Sequence, residues 1–295
     1  MKRTLYFGNE AYLSTQKQRL VVRYPQSEEV KTVPIEDVGV VLLDHYRLTL
    51  TSTLLNKLLE NNVAVISCDA QHLPLGMFLN LNGNTLQQEH FAQQIAVTKA
   101  KKDRLWKQVI QAKIGNQAHL LALQGSLVVN MQRWAAKVKN GDPENLEARA
   151  AAYYWKNLFD TLPSFKRERF GNAPNALLNY GYTILRGVVA RALVGSGLIP
   201  TLGIHHHNKY NAYCLADDIM EPYRPFVDEQ VLALVSEGVG ELTKESKQVL
   251  LKIPVLDVRI NQQKSPLMLA VQETSASLQQ CYAGVRKTIK VPKFV

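Results

Sequence analysis

The chain has 295 residues, 46% of them hydrophobic, and carries 35 Lys+Arg against 25 Asp+Glu for a formal net charge of +10. That is enough apolar material for two cores, while no apolar run approaches the roughly 20 residues that cross a bilayer as a helix. Cys68, Cys214 and Cys281 are odd in number and far apart, which argues against a disulfide framework or a zinc-ligand spacing and for reduced, packing thiols.

The first residues, MKRTLYFGNEAYL, hold no hydrophobic segment of signal-peptide length, so a cytoplasmic protein is expected. The charge is unevenly spread. Residues 1–84 balance 8 basic against 8 acidic side chains, so the other 27 basic and 17 acidic residues carry the whole excess. A neutral domain joined to a basic one points to a polyanionic partner for the second.

Residues 1–84 read as β-rich. Leu5–Phe7, Ala11–Thr15, Arg19–Tyr24 and Val30–Val33 are short strand-like runs separated by Gly8-Asn9, Pro25, Ser27 and Pro34. Val38–Leu43 is a continuous apolar run, the pattern of a buried strand. Ser52 is placed to cap a helix whose leucines 54, 55, 58 and 59 share a face, and Val63–Ser67 and Leu75–Leu79 return to β. His45 and His72 are expected to be ordinary polar residues. Residues 80–85 (NLNGNT) form the linker.

The remainder, 85–295, reads as helical. One helix is expected over 90–110, with Lys99, Lys101, Lys102 and Arg104 on a solvated or phosphate-facing side. A second spans 117–138 with a break near Gly125, and residues 139–143 turn. Glu144–Phe159 starts favourably, with acidic residues following Pro143. Its Glu147 lies on one face with Ala151 and Tyr154, and is equally suited to a surface pair with Arg149 or Lys156.

The loop Phe165–Gly171 interleaves Lys166, Arg167 and Arg169 with two phenylalanines, a mixture suited to phosphates and unpaired bases. The helix beginning near Ala173 aligns Asn175, Asn179, Tyr182 and Arg186 on a polar stripe, with Arg186 in a position to touch phosphate. After the stretch discussed next, helices are expected over 228–235, 244–253 and 266–285. The basic tail from Arg286 is expected to be extended and available to DNA or a partner.

Leu198–Val227 concentrates the chemistry. It contains His205, His206 and His207, then Asp217, Asp218 and Glu221. Spacings of three and four put Asp218 or Asp217 on a helix face with Glu221. Imidazole with carboxylates leaves coordination positions for water and phosphate, the arrangement of metal-assisted phosphoryl chemistry. Pro222 and Pro225 limit the helix near Glu221. Arg224 stands within reach of a phosphate.

Leu202-Gly-Ile-His-His206 followed by Asp218-Ile-Met-Glu-Pro-Tyr-Arg-Pro225 resembles the signature of the CRISPR adaptation integrases. Glu147-Ala-Arg-Ala-Ala-Ala-Tyr-Tyr-Trp155 matches a third motif of that family. The resemblance implies an α+β protein, with a β-rich dimerisation domain over 1–84 and a larger all-α catalytic domain over 85–295. Glu147, His206 and Glu221 would be the catalytic metal ligands, with Asp218 in the first or second shell and Mg2+ or Mn2+ as the ion.

DNA contacts would come from Lys166, Arg167, Arg169, Arg186, Arg224 and His205. The implied reaction joins 3′-OH ends of a short DNA duplex (the prespacer) to leader-repeat DNA. Implied partners are the small second adaptation subunit, a second copy in a homodimer and, for the Gly-Ile-His-His form, an RNA-guided effector nuclease. Three departures are visible: His205 at a usually apolar position, Ala152 in place of an arginine, and Glu221 in place of an aspartate. Which of the three histidines binds metal stays open, as do a stand-alone nuclease of branched DNA and a non-catalytic nucleic-acid scaffold.

Overall fold

Short alternating runs and one doubly apolar run become two small sheets, as seen in a computed structural model that describes residues 2–70, 72, 74–162, 165–168 and 171–295. Arg169 and Phe170, expected at a DNA-facing loop, lie outside the described residues. The chain divides into two units, residues 1–85 and 86–295.

In the first unit the strands are β1 (Arg3–Phe7), β2 (Ala11–Gln16), β3 (Arg19–Arg23), β4 (Val30–Pro34), β5 (Val38–Leu43) and β6 (Leu48–Leu50). They are followed by helix α1 (Ser52–Glu60), β7 (Ala64–Cys68) and β8 (Pro74–Phe78). One sheet has the order β1-β5-β7-β8 and the other β4-β3-β2-β6. The run Val38–Leu43 lies between parallel neighbours β1 and β7, which is why both its faces are apolar.

Leu13, Leu20, Val38, Val41, Leu54, Leu58 and Val65 build the core between the sheets and α1. The helix cap is Thr51 rather than Ser52: its hydroxyl accepts the Leu54 N–H at 3.3 Å, one residue before the expected position. His72 is polar and tied down, its Nδ1 2.8 Å from Asp44 Oδ1, while the Tyr6 hydroxyl donates to Asp44 Oδ2 at 2.6 Å.

The second unit is helical. Where one helix is expected over 90–110, there are two, α2 (Gln87–Ile95) and α3 (Lys99–Leu123), because Thr98 caps the second through the Lys101 N–H. The second expected helix, 117–138, is likewise divided: α3 runs on to Leu123, Gly125 takes φ +77°, and α4 covers Val129–Lys137. Helix α5 (Leu146–Leu158) begins two residues later than expected. Asp142 organises its start, its carboxylate accepting the Leu146 and Glu147 N–H groups at 3.0 and 2.9 Å.

Helix α6 (Asn175–Gly195) is buried along most of its length, and α7 (Cys214–Met220) and α8 (Arg224–Ser236) pack on it. Gly181 permits the α6–α8 approach, since a Cβ there would sit 2.5 Å from Val227 Cγ1. Helix α9 (Lys244–Leu250) precedes a hairpin, β9 (Asp257–Ile260) and β10 (Gln263–Pro266), and α10 (Leu267–Tyr282) packs on α6. The hairpin turns on Asn261 and Gln262, both at positive φ. No described helix is long and apolar enough to cross a membrane.

The basic tail is not free. Ile289 N–H donates to Gln108 Oε1, Lys290 Nζ pairs with Glu273 at 2.9 Å, and Phe294 stacks between His119 and Phe226. Its lysine charges are partly committed inside the unit, and its apolar residues close over α3.

Candidate metal and nucleic-acid site

The acidic helix ends where proline requires it to. Helix α7 stops at Met220, Glu221–Tyr223 form a 3₁₀ turn with Pro222 inside it, and α8 restarts at Arg224 with Pro225 in its first turn. Asp217 and Asp218, consecutive on α7, diverge by about 100° around the helix axis, and Glu221 opens the turn that follows. Asp217 Oδ1 lies 2.7 Å from Arg186 Nε and its Oδ2 accepts the Asn211 amide. Asp218 faces the histidine loop, and Glu221 faces α3.

Asp218 is fully buried and all its acceptor capacity is taken. Its Oδ2 accepts the Ile204 and His205 N–H groups at 2.6 and 2.9 Å, and its Oδ1 accepts the His206 N–H at 3.2 Å with His206 Nδ1 2.5 Å away. With both oxygens doubly engaged, Asp218 stands behind His206 and holds its ring through Nδ1, the second of the two placements expected for it. Its hydrogen bond to the ring, more than any other influence, raises the His206 pKa above the ordinary imidazole value, with Glu221 and Glu147 adding to it. Gly203 is required for this wrap, because a Cβ would sit 2.3 Å from the His206 carbonyl oxygen and 2.9 Å from Asp218 Oδ2.

His205 stacks parallel on the buried Trp106 ring at 4.3 Å, and His206 meets the same indole edge-on at 5.7 Å. That explains an imidazole at a usually apolar position: it is used as a flat ring. His207 is solvent-exposed. The loop is pinned from α2 as well, where the Gln94 side chain accepts the Ile199 N–H and donates to the Ile199 and Leu202 carbonyls.

Glu147 and Glu221, 74 positions apart in the chain, meet at one atom. Lys113 Nζ on α3 is 2.7 Å from Glu147 Oε1 and 2.6 Å from Glu221 Oε2. Arg224 Nε lies 2.9 Å from the other Glu221 oxygen. Neither contact to Glu221 has hydrogen-bond alignment, so its buried Oε2 lacks a directed donor.

Burial alone would raise the Glu221 pKa, but Arg224 and Lys113 together hold it below the ordinary carboxylate value. Burial alone would lower that of Lys113, and the charges of Glu221 and Glu147 outweigh it. Among the described residues, no three His, Cys, Asp or Glu side chains stand in metal-holding geometry. The ammonium occupies the space between the carboxylates.

The arginines expected on DNA mostly turn inward. Arg224 pairs through Nε with Glu221 and lies 4.7 Å over the Tyr182 ring. Arg167 donates to Asn175 and Asn179 at 2.9 and 2.7 Å and lies 5.4 Å over the Tyr182 ring. The polar stripe thus receives Arg167. Arg186 is committed to Asp217, although a third of its side chain stays exposed. Lys166 is exposed, as is the outer face of His205.

Tyr182 and Tyr154 (2.8 Å) both donate to the buried Asp228, whose pKa burial pushes up to about 6. Lys113, Trp106, Gln94 and Asn116 are the participants sequence reasoning did not find. The signal was present for two of them: Trp106 and Lys113 are two turns apart on the buried face of α3, with Leu105, Val109 and Ile110. Asn116, one turn further on, donates to the carbonyls of Pro222 and Pro292 at 2.8 and 3.1 Å and so fixes the turn bearing Glu221.

As they stand these side chains do not enclose a cation, but they are of the kinds a divalent cation takes as ligands. Two carboxylates from different helices face one point already filled by a positive charge, one oxygen is buried without a directed donor, and the imidazole is pre-oriented by a carboxylate behind it. Carboxylates with one imidazole suit magnesium or manganese.

Comparison with known proteins agrees in extent as well as kind. The family model described as CRISPR associated protein Cas1 matches residues 5–256. A CRISPR-associated endonuclease Cas1 of Neisseria meningitidis serogroup C is 34% identical over 301 residues, covering 99% of this chain and 96% of its own. A casposase bound to integration product has the same fold, with TM-score 0.75, 18% identity and coverage of 98% and 92% of the two chains. A Cas6-RT-Cas1–Cas2 complex matches with TM-score 0.75 and 21% identity over 97% of this chain and 35% of the other. With a family model spanning most of the sequence and a full-length relative at this identity, the chain belongs to the Cas1 family of CRISPR associated proteins.

Proposed function

We propose that the chain is the integrase of CRISPR spacer acquisition, joining 3′-OH ends of short DNA fragments to a repeat array by metal-dependent transesterification. The observation that carries this reading is the meeting of Glu147 and Glu221 at one cationic point, with His206 close enough for both carboxylates to raise its pKa. Glu147, Glu221 and His206 would hold Mg2+ or Mn2+. When bound, that ion withdraws charge from a phosphate oxygen and stabilises the leaving alkoxide.

In the step itself, a bond forms between the attacking 3′ oxygen and phosphorus as the bond from phosphorus to the repeat strand's 3′ oxygen breaks. One phosphodiester replaces another, so no nucleotide is consumed. Asp218 and Trp106 keep the His206 ring in position, Arg224 fixes one Glu221 oxygen, and Asn116 fixes the turn. Exposed Lys166 and His205 are the proposed DNA contacts; Arg167 and Arg186 would shape the surface from within.

The reading includes the small second subunit as partner, supported by the Cas1–Cas2 assembly of a structural neighbour. It includes a homodimer through the β-rich unit, an RNA-guided effector nuclease as a further associate, and a cytoplasmic site of action. The test supplies a fluorescent 3′-OH duplex, a repeat-containing plasmid and Mn2+ to wild type and His206→Ala, with and without the second subunit. Joined product from wild type alone, requiring the subunit, is expected. Equal product from both proteins overturns the role of His206, and cleavage without joining overturns the integrase reading in favour of a nuclease.

A further inference from the structure

We propose that Lys113 is the resident counter-ion of the site: a divalent cation has to displace its ammonium, which then re-pairs with a nucleic-acid phosphate. This inference rests on the metal reading above. Its basis is positional. Nζ lies 2.7 and 2.6 Å from the two carboxylate oxygens, and a cation held by Glu147 and Glu221 would compete with Nζ for them. The ammonium and the ion are therefore alternatives.

The side chain is 11% exposed, on the buried face of α3, where it is the one charged residue. Burying a charge there is tolerated only with partners in contact. In the free protein Lys113 serves as a placeholder: it keeps Glu147 and Glu221 facing each other, where two unpaired carboxylates would repel. Once an ion arrives, Lys113 loses both anions while Arg224 remains nearby as a like charge. A phosphodiester brought to the ion is the anion that restores its pairing.

Two consequences follow by linkage. The ion binds weakly in the absence of DNA, and ion and DNA strengthen each other's binding by the same factor. Lys113 is thus a positioning residue that couples occupancy by metal to occupancy by substrate, and it discourages hydrolysis by a metal-loaded site with no DNA end in place.

The experiment titrates Mn2+ against the full chain, following free Mn2+ by electron paramagnetic resonance, for wild type, Lys113→Met, Lys113→Arg and Glu147→Gln. Each is measured with and without a 3′-OH duplex. Methionine keeps the length and removes the charge. Lys113→Met is expected to bind Mn2+ at least about tenfold more tightly than wild type without DNA, the scale on which neighbours tune metal sites. DNA should tighten binding by wild type by a larger factor than it tightens binding by Lys113→Met.

Lys113→Arg, still cationic, should resemble wild type. Equal or weaker Mn2+ binding by Lys113→Met overturns the inference and leaves the metal reading standing. If that variant does not fold, amine acylation of wild type decides: Lys113 labelling should rise with Mn2+, and unchanged labelling overturns the proposal. Glu147→Gln binding Mn2+ as tightly as wild type removes the metal reading and this inference with it.

Discussion

Replacing Asp218 by Asn isolates the support behind the candidate ligand His206. The carboxylate accepts three backbone N–H groups from residues 204–206 and faces the His206 ring nitrogen, with no solvent exposure. An amide keeps one accepting oxygen and turns an NH2 toward two groups that are themselves donors. Two charge-assisted hydrogen bonds are lost, at about 1.5–3 kcal/mol each, so the loss of stability is about 3–6 kcal/mol.

The loop would reorganise, and Mn2+ affinity should fall about 10–100-fold, as for other carboxylates behind a metal-binding histidine. Differential scanning calorimetry with Mn2+ titration measures both quantities. The Asp218→Asn protein should melt well below wild type and bind Mn2+ weakly, with Asp218→Ala worse in both. A variant that melts with wild type and binds Mn2+ equally would refute the assignment of Asp218 as organiser of the loop.

Gly203→Ala should abolish strand transfer while leaving the β-rich unit folded, because the new Cβ meets the His206 carbonyl at 2.3 Å; wild-type transfer by this variant contradicts the packed wrap. Trp106→Ala removes a buried indole and the ring on which His205 lies, and should reduce stability by about 3–5 kcal/mol in chemical denaturation. Asp228, with its pKa pushed up to about 6, binds a proton more readily folded than unfolded. Its ionised form therefore opposes folding above that pH, and the opposition fades as pH falls from about 6 toward 4, by an amount on the order of 3 kcal/mol. Denaturation of wild type and Asp228→Asn across that range should show a smaller stability gain on acidification in the variant.

Local features of the sequence carried far into the structure. The apolar run Val38–Leu43 is legible because a strand between two parallel neighbours needs apolar side chains on both faces. Gly203 and His206 stand out only through the family resemblance; that a loop wrapped around Asp218 leaves no room for a Cβ at 203 is visible only in the fold. What depends on pairing across the chain is not legible. That Asn175 and Asn179, Asp217 and Glu221 hold Arg167, Arg186 and Arg224 is one example. The spacing of Asp217, Asp218 and Glu221 suggests a shared purpose, but each meets a different partner: Arg186, the 204–206 loop, and Lys113 with Arg224. The β9–β10 hairpin escapes notice because its turn, Asn261-Gln262, has no glycine. Lys113 lies 34 positions from Glu147, and only the face of α3 joins them.

The most direct measurement is the anomalous diffraction of a crystal of the full chain grown with Mn2+ and a 3′-OH duplex. A single manganese peak should lie about 2.0–2.3 Å from oxygens of Glu147 and Glu221 and from Nε2 of His206, with the Lys113 ammonium moved off the carboxylates. A peak at other side chains, with Lys113 still between Glu147 and Glu221 in the DNA-bound protein, contradicts the account.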